Sequence, residues 1–309
     1  MRQKIELNYP IQFALLLGLL GIALILGNTI VLVIGSVMMH VPMKTVPVLL
    51  SDPRYIDISK LLNTLASFLV FCLPAIILGR IVNSKPFEYL GFKARVSSQQ
   101  IGLVLLIAFV GLILSGALGE VNQSIPLPSK LLIKAKELEE KYKEAMASMI
   151  TMKSFSDYLI SLLVLAAAPA LFEEVLFRGG FQTIFVGWTK NPFAGILITS
   201  LLFSAIHFSF FGFLPRAALG MILGYVFYYS KNLWLNIMIH FLYNGMAVTQ
   251  IFIITRQGKS IEKAMDESMP IWMGIIAIIA SFVLLNQFKK ASEKQFLIHP
   301  SILNENREN

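Results

Sequence analysis

Residues 168–188 read APALFEEVLFRGGFQTIFVGW, an apolar stretch interrupted by Glu173, Glu174 and Arg178. A charged side chain at the bilayer centre costs about 2.5–3.5 kcal/mol on insertion scales, so charges there persist where they face a protein-lined or water-filled interior. The same mixture recurs downstream, as Phe203 with His207 and then His240 with Asn244, each inside an apolar run. The stretch from Ala166 to Asn244 therefore reads as one polar site built within membrane helices.

Outward from that stretch the whole chain has the same character. Of its 309 residues 56% are hydrophobic and 14% charged, and the mean hydropathy is +0.71, which excludes an ordinary soluble domain. The formal charge of +8 is spread over the gaps between apolar runs and forms no aromatic-interleaved patch, so it suits membrane-flanking anchors and excludes nucleic acid as a partner. The single cysteine, Cys72, lies in an apolar run and reads as packing.

Apolar runs place spans at about Ile11 to Met39, Ser59 to Val82, Gln100 to Gly119, a run through Leu162 and Glu173 to Gly187, Pro192 to Phe210, Phe213 to Tyr229, Leu233 to Ile254 and Pro270 to Phe288. The expectation is an all-α polytopic membrane protein with about eight transmembrane helices. Three regions follow: 1–154 with N-terminal spans and a connector, 155–255 with the polar motifs, and 256–309 with the last span and a polar tail from Lys289. The connector, Pro126 to Lys153, carries charges of alternating sign and an apolar stripe of Leu131, Leu138, Tyr142, Ala145 and Met149, which predicts an amphipathic helix outside the bilayer core. Ser156 or Asp157 is placed to cap the next helix, and Pro169 to kink it. An even number of spans puts both termini on one side, and the Lys and Arg near them favour the cytoplasmic face of a cell membrane.

On a helix, positions four apart nearly share a face, so Glu174 and Arg178 can neutralise one another while Glu173 points elsewhere. Phe203 and His207, and His240 and Asn244, have the same spacing, so two helices offer imidazoles and a third a carboxylate. Amide hydrolysis needs a base for water, donors for the oxyanion and a proton for the leaving amine. Glu173 with His207 suits the first task and His240 with Asn244 the second, with Glu174 and Arg178 as a supporting pair and Phe203 as a pocket wall. No Ser or Cys stands in a nucleophile motif, which favours direct attack by water. No cofactor is favoured; the alternative is zinc held by Glu173, His207 and His240, with spacing that neither supports nor excludes it.

Three motifs carry a family resemblance: E-E-x-x-x-R at Glu173-Glu174-Val175-Leu176-Phe177-Arg178, F-x-x-x-H at Phe203 to His207, and H-x-x-x-N at His240 to Asn244. In this set and order the chain resembles the CPBP (ABI) family of intramembrane proteases, which includes the type II CAAX prenyl endopeptidases. The resemblance implies an eight-helix membrane protease in which Glu173 and His207 activate water while His240 and Asn244 stabilise the oxyanion. It covers roughly residues 155–255 and leaves the substrate open, a membrane-embedded or lipidated protein or peptide being the expected class. The family has been labelled metalloprotease, although a metal-independent glutamate mechanism is the better account. The competing reading is a non-enzymatic membrane protein, either a proton-coupled transporter or a bacteriocin-immunity-type binding protein, using the same groups as a relay or contact site. A transporter would show repeat symmetry or paired broken helices, and neither is evident.

Overall fold

A computed structural model describes residues 7–93, 95–149, 152, 154–258 and 269–298. Among the described residues the chain is helical throughout, with no strand. The principal helices are α1 (Tyr9–Met39), α2 (Pro53–Val82), α3 (Ser98–Ser124), α4 (Ser129–Met149), α5 (Phe155–Thr189), α6 (Pro192–Ala205), α7 (Phe213–Ser230), α8 (Leu233–Arg256) and α9 (Ile271–Ile298).

Six of these, α1, α2, α3, α5, α8 and α9, are long and apolar enough to cross a membrane. The chain is thus an all-α, multi-pass membrane protein, with six candidate spans where about eight were expected. The two remaining predicted spans are present as helices, one too short and the other not apolar enough. The 14-residue α6 stops at Ala205, several residues before the expected end at Phe210, and α7 has 18 residues with Arg216 in its first turns.

Polar caps set several boundaries. Ser154, rather than Ser156 or Asp157, caps α5: its hydroxyl accepts from the Asp157 amide, and the Asp157 carboxylate accepts from the Ser154 amide. Prolines shape the interiors of α2 and α5. Each widens into a π segment, Phe68–Cys72 and Leu162–Ala167, just before Pro74 and Pro169. In both, the amide preceding the proline bonds five residues back, Leu73 to Phe68 and Ala168 to Leu163. The extra residue in the turn accommodates a ring that lacks an N–H and would otherwise press on the previous turn.

Two apolar cores hold the bundle. One joins α1, α2 and α5 through Leu16, Ala75, Leu78, Leu176, Phe177 and Ile184, with Cys72 buried in it. The other joins α3, α7, α8 and α9 through Val104, Ile107, Leu223, Ile239 and Phe288. Gly220 and Gly224 let α7 lie close to α6; a methyl group at Gly224 would meet Ile196 at 2.5 Å. The helix of the last span continues past Lys289 and Lys290 to Ile298, where a polar tail was expected, and Ser292 within it accepts a hydrogen bond from Gln100 on α3. His299 lies outside the described residues.

Candidate active site

The site lies where α5, α6, α7 and α8 converge. Arg178 and Glu174 are both fully buried on α5, with Arg178 Nη1 donating to Glu174 Oε1 at 2.8 Å. The second guanidinium nitrogen donates to the Gly220 carbonyl at 3.3 Å, and one turn later Gln182 Nε2 donates to the Gly224 carbonyl at 2.8 Å. The glycines leave those carbonyls open to a second donor, so two polar residues four apart on α5 register against two glycines four apart on α7. Arg178 also lies over the face of Phe203, 5.0 Å from its centroid.

Glu174 is the hub of a wider network. Its Oε1 accepts from His240 Nδ1 at 2.8 Å and its Oε2 from Asn236 Nδ2 at 3.4 Å. Asn236 donates at 2.7 Å to the Leu223 carbonyl as well, tying α8 to α7. With Nδ1–H directed at Glu174, the other nitrogen of His240, Nε2, faces Glu173 Oε2 at 3.8 Å. That gap exceeds a hydrogen bond, and a water molecule set to one side can touch both atoms. Glu173 Oε2 is itself buried without a hydrogen-bond partner.

His207 is not on a helix. After α6 ends, the chain turns through Ile206 and His207 to Phe208, which takes a left-handed φ of 50°. The imidazole is held by Nδ1–H donation to the Phe203 carbonyl at 2.8 Å, which leaves Nε2 available. Phe203 stands edge-on to both imidazoles, with ring centroids 5.1 Å from His207 and 5.8 Å from His240. The two histidines therefore share one aromatic wall. No hydrogen bond or ion pair joins Glu173 to His207 among the described residues; the carboxylate lies toward His240. Asn244, one turn beyond His240 on α8, is half-buried.

Three polar residues that the motifs do not contain complete the site. Asn236 precedes His240 by the same four-residue step that separates His240 from Asn244, a spacing visible in the sequence. Asn122, at the end of α3, brackets the loop after His207, donating to the Phe210 carbonyl at 2.9 Å and accepting from the Leu214 amide at 2.7 Å. Arg216, in the first turns of α7, lies over the ring of Tyr142 on α4 at the end of the same loop.

The amphipathic α4 reaches this loop. Glu137 and Lys141, four apart, form an exposed pair at 2.7 Å, and Glu139 accepts a hydrogen bond from Ser209 at 2.8 Å. On the other flank, an apolar groove of about 550 Å³ between α2 and α5 is lined by Leu61, Leu163, Leu171 and Phe172, the last next to Glu173. Buried Lys60 sits at this groove with its ammonium donating to Ser161.

Among the described residues no three His, Cys, Asp or Glu side chains are grouped to hold a metal ion. Glu173, His207 and His240 are not such a group, although each imidazole keeps Nε2 uncommitted while Nδ1 is held by a protein acceptor.

Residues 155–246 match the family model described as type II CAAX prenyl endopeptidase Rce1-like. The matched segment contains all three motifs, so the match and the motif resemblance point to the same family, over just under a third of the chain. No curated protein and no solved structure matches.

Proposed function

We infer that this chain is an intramembrane endopeptidase that cleaves near the C-terminus of a membrane-anchored, CAAX-type protein or peptide, with water as the nucleophile. The observation that carries this reading is the buried, unpartnered Glu173 Oε2 facing His240 Nε2, a carboxylate held ready inside an apolar bundle. Glu173 takes a proton from water as the oxygen adds to the scissile carbonyl. The oxyanion that forms is met by the Asn244 carboxamide and, one turn away, by His240 as an imidazolium, which keeps Nδ1–H on the Glu174 carboxylate and donates Nε2–H to the oxyanion. His207 Nε2, on the other side of Phe203, helps hold the water. The C–N bond then breaks, and the proton carried by Glu173 passes to the leaving amine.

Arg178 and Asn236 act through Glu174, fixing the carboxylate that fixes His240. The groove beside Phe172 suits an apolar chain carried by the substrate, which would bring a lipid-anchored segment alongside Glu173. This reading needs no metal, and activity should survive exhaustive chelation; loss of activity restored only by added zinc would refute that part. The cell membrane is the proposed location.

The substrate question is best approached in cells. Membrane proteomes of the wild type and of Glu173→Gln are compared for proteins whose C-termini differ. Shortened C-termini confined to the wild type support the reading, and identical C-termini throughout would count against it.

A further inference from the structure

Arg216 sits in the first turns of α7 and is not used by the mechanism above. Its guanidinium is confined on two sides. It lies over the Tyr142 ring of α4, 5.1 Å from the centroid, and against Gly212, where an added methyl group would overlap its terminal nitrogens. Nη1 is buried without a hydrogen-bond partner, and no carboxylate forms an ion pair with Arg216 among the described residues. It stands at the start of α7, directly after the loop that runs on from His207 and that Asn122 holds at Phe210 and Leu214.

A buried donor on a cation is costly when unmet. Among the described residues no neighbouring element pairs it with a charge: Tyr142 offers a ring face, Gly212 leaves space, and the Glu139 carboxylate, one turn before Tyr142, is hydrogen-bonded to Ser209. The missing partner is an anion that comes and goes. If cleavage occurs a few residues from a C-terminus, the substrate brings one such anion at a fixed distance from the scissile bond. A guanidinium fork suits a carboxylate, which it can engage through two parallel N–H donations.

We propose that Arg216, braced by Tyr142 and Gly212, is the receptor for the free C-terminal carboxylate of the substrate. This rests on the endopeptidase reading above. It makes Arg216 a specificity determinant that measures the distance from chain end to cleaved bond, and makes α4 part of the substrate site.

The test uses two quenched peptides of one sequence, bearing the same lipidated cysteine, one ending in a carboxylate and the other in an amide. The full-length wild type should favour the carboxylate in kcat/KM by about 10- to 100-fold, the range of a charge-assisted contact. In Arg216→Met this ratio should fall to near one, and in Arg216→Lys to an intermediate value. Gly212→Ala should also lower the ratio with thermal unfolding unchanged, because the atoms nearest the added methyl group all belong to the flexible end of Arg216. A wild type indifferent to the chain end, or an Arg216→Met ratio equal to that of the wild type, would overturn the assignment. Binding of both peptides to Glu173→Gln and to Glu173→Gln/Arg216→Met separates the two failures. If nothing is cleaved, the endopeptidase reading fails, while a carboxylate preference in binding that is lost with Arg216 still supports the anion site, and equal binding removes it.

Discussion

At the scale of single residues, the site depends on Glu174, which no substrate need touch. It pairs with Arg178, orients His240 and receives Asn236, so one carboxylate joins α5 to α8, and its partners Arg178 and Asn236 reach on to α7. Removing one partner of a buried ion pair leaves the other charge uncompensated, typically at a cost of about 3–5 kcal/mol. Arg178→Ala should therefore lower the thermal unfolding temperature markedly in detergent, read by tryptophan fluorescence, and an unchanged transition would mean that the pair is not structural. The Glu174–Arg178 bond was legible in the sequence, because a four-residue step on a helix is a local property. The bond from Glu174 to His240 spans 66 positions and was not, since periodicity carries no information about which helices meet. Arg216 was hidden for another reason: a lone cation at the start of an apolar run looks like an interfacial anchor.

At the scale of elements, the alignment of α5 with α7 follows from two matched pairs, Arg178 on Gly220 and Gln182 on Gly224. The four-residue spacing of Gly220 and Gly224 does not itself say which helix it admits: α7 is pressed against α6 while accepting hydrogen bonds from α5. Overpacking a tight contact costs about 1–3 kcal/mol. Gly224→Val, whose Cβ would lie 2.5 Å from an Ile196 methyl, should destabilise the protein by that order in denaturant unfolding. A stability equal to that of the wild type would show that the α6–α7 contact is loose. The early end of α6 was invisible to hydropathy, because Ile206, Phe208 and Phe210 continue the apolar run after the helix stops. Its termination depends on the left-handed Phe208 and on Asn122, a residue 86 positions earlier in the chain that holds the following loop. The π segments were likewise unreadable as such, although Pro169 marked the place where the regular ladder has to change.

At the scale of the whole molecule, the all-helical, multi-pass character was dictated by composition alone, while the number of spans was not. Six helices meet the requirements of length and hydropathy, and adding α6 and α7 would give eight. Both counts are even, so the two ends of the chain should lie on one side. Cysteines introduced as Asn8→Cys and Lys290→Cys should be labelled together by a membrane-impermeant reagent in vesicles of one orientation, and labelling of only one would break the topology. In this arrangement an apolar groove lies between α2 and α5, and two apolar cores hold the bundle together. The central claim, that Glu173 activates water for peptide hydrolysis there, is tested most directly with purified protein in liposomes and a quenched peptide carrying a C-terminal lipidated cysteine. The wild type should cleave it, and Glu173→Gln, with wild-type thermal unfolding, should lose at least about 100-fold in kcat; undiminished cleavage by Glu173→Gln would contradict the account.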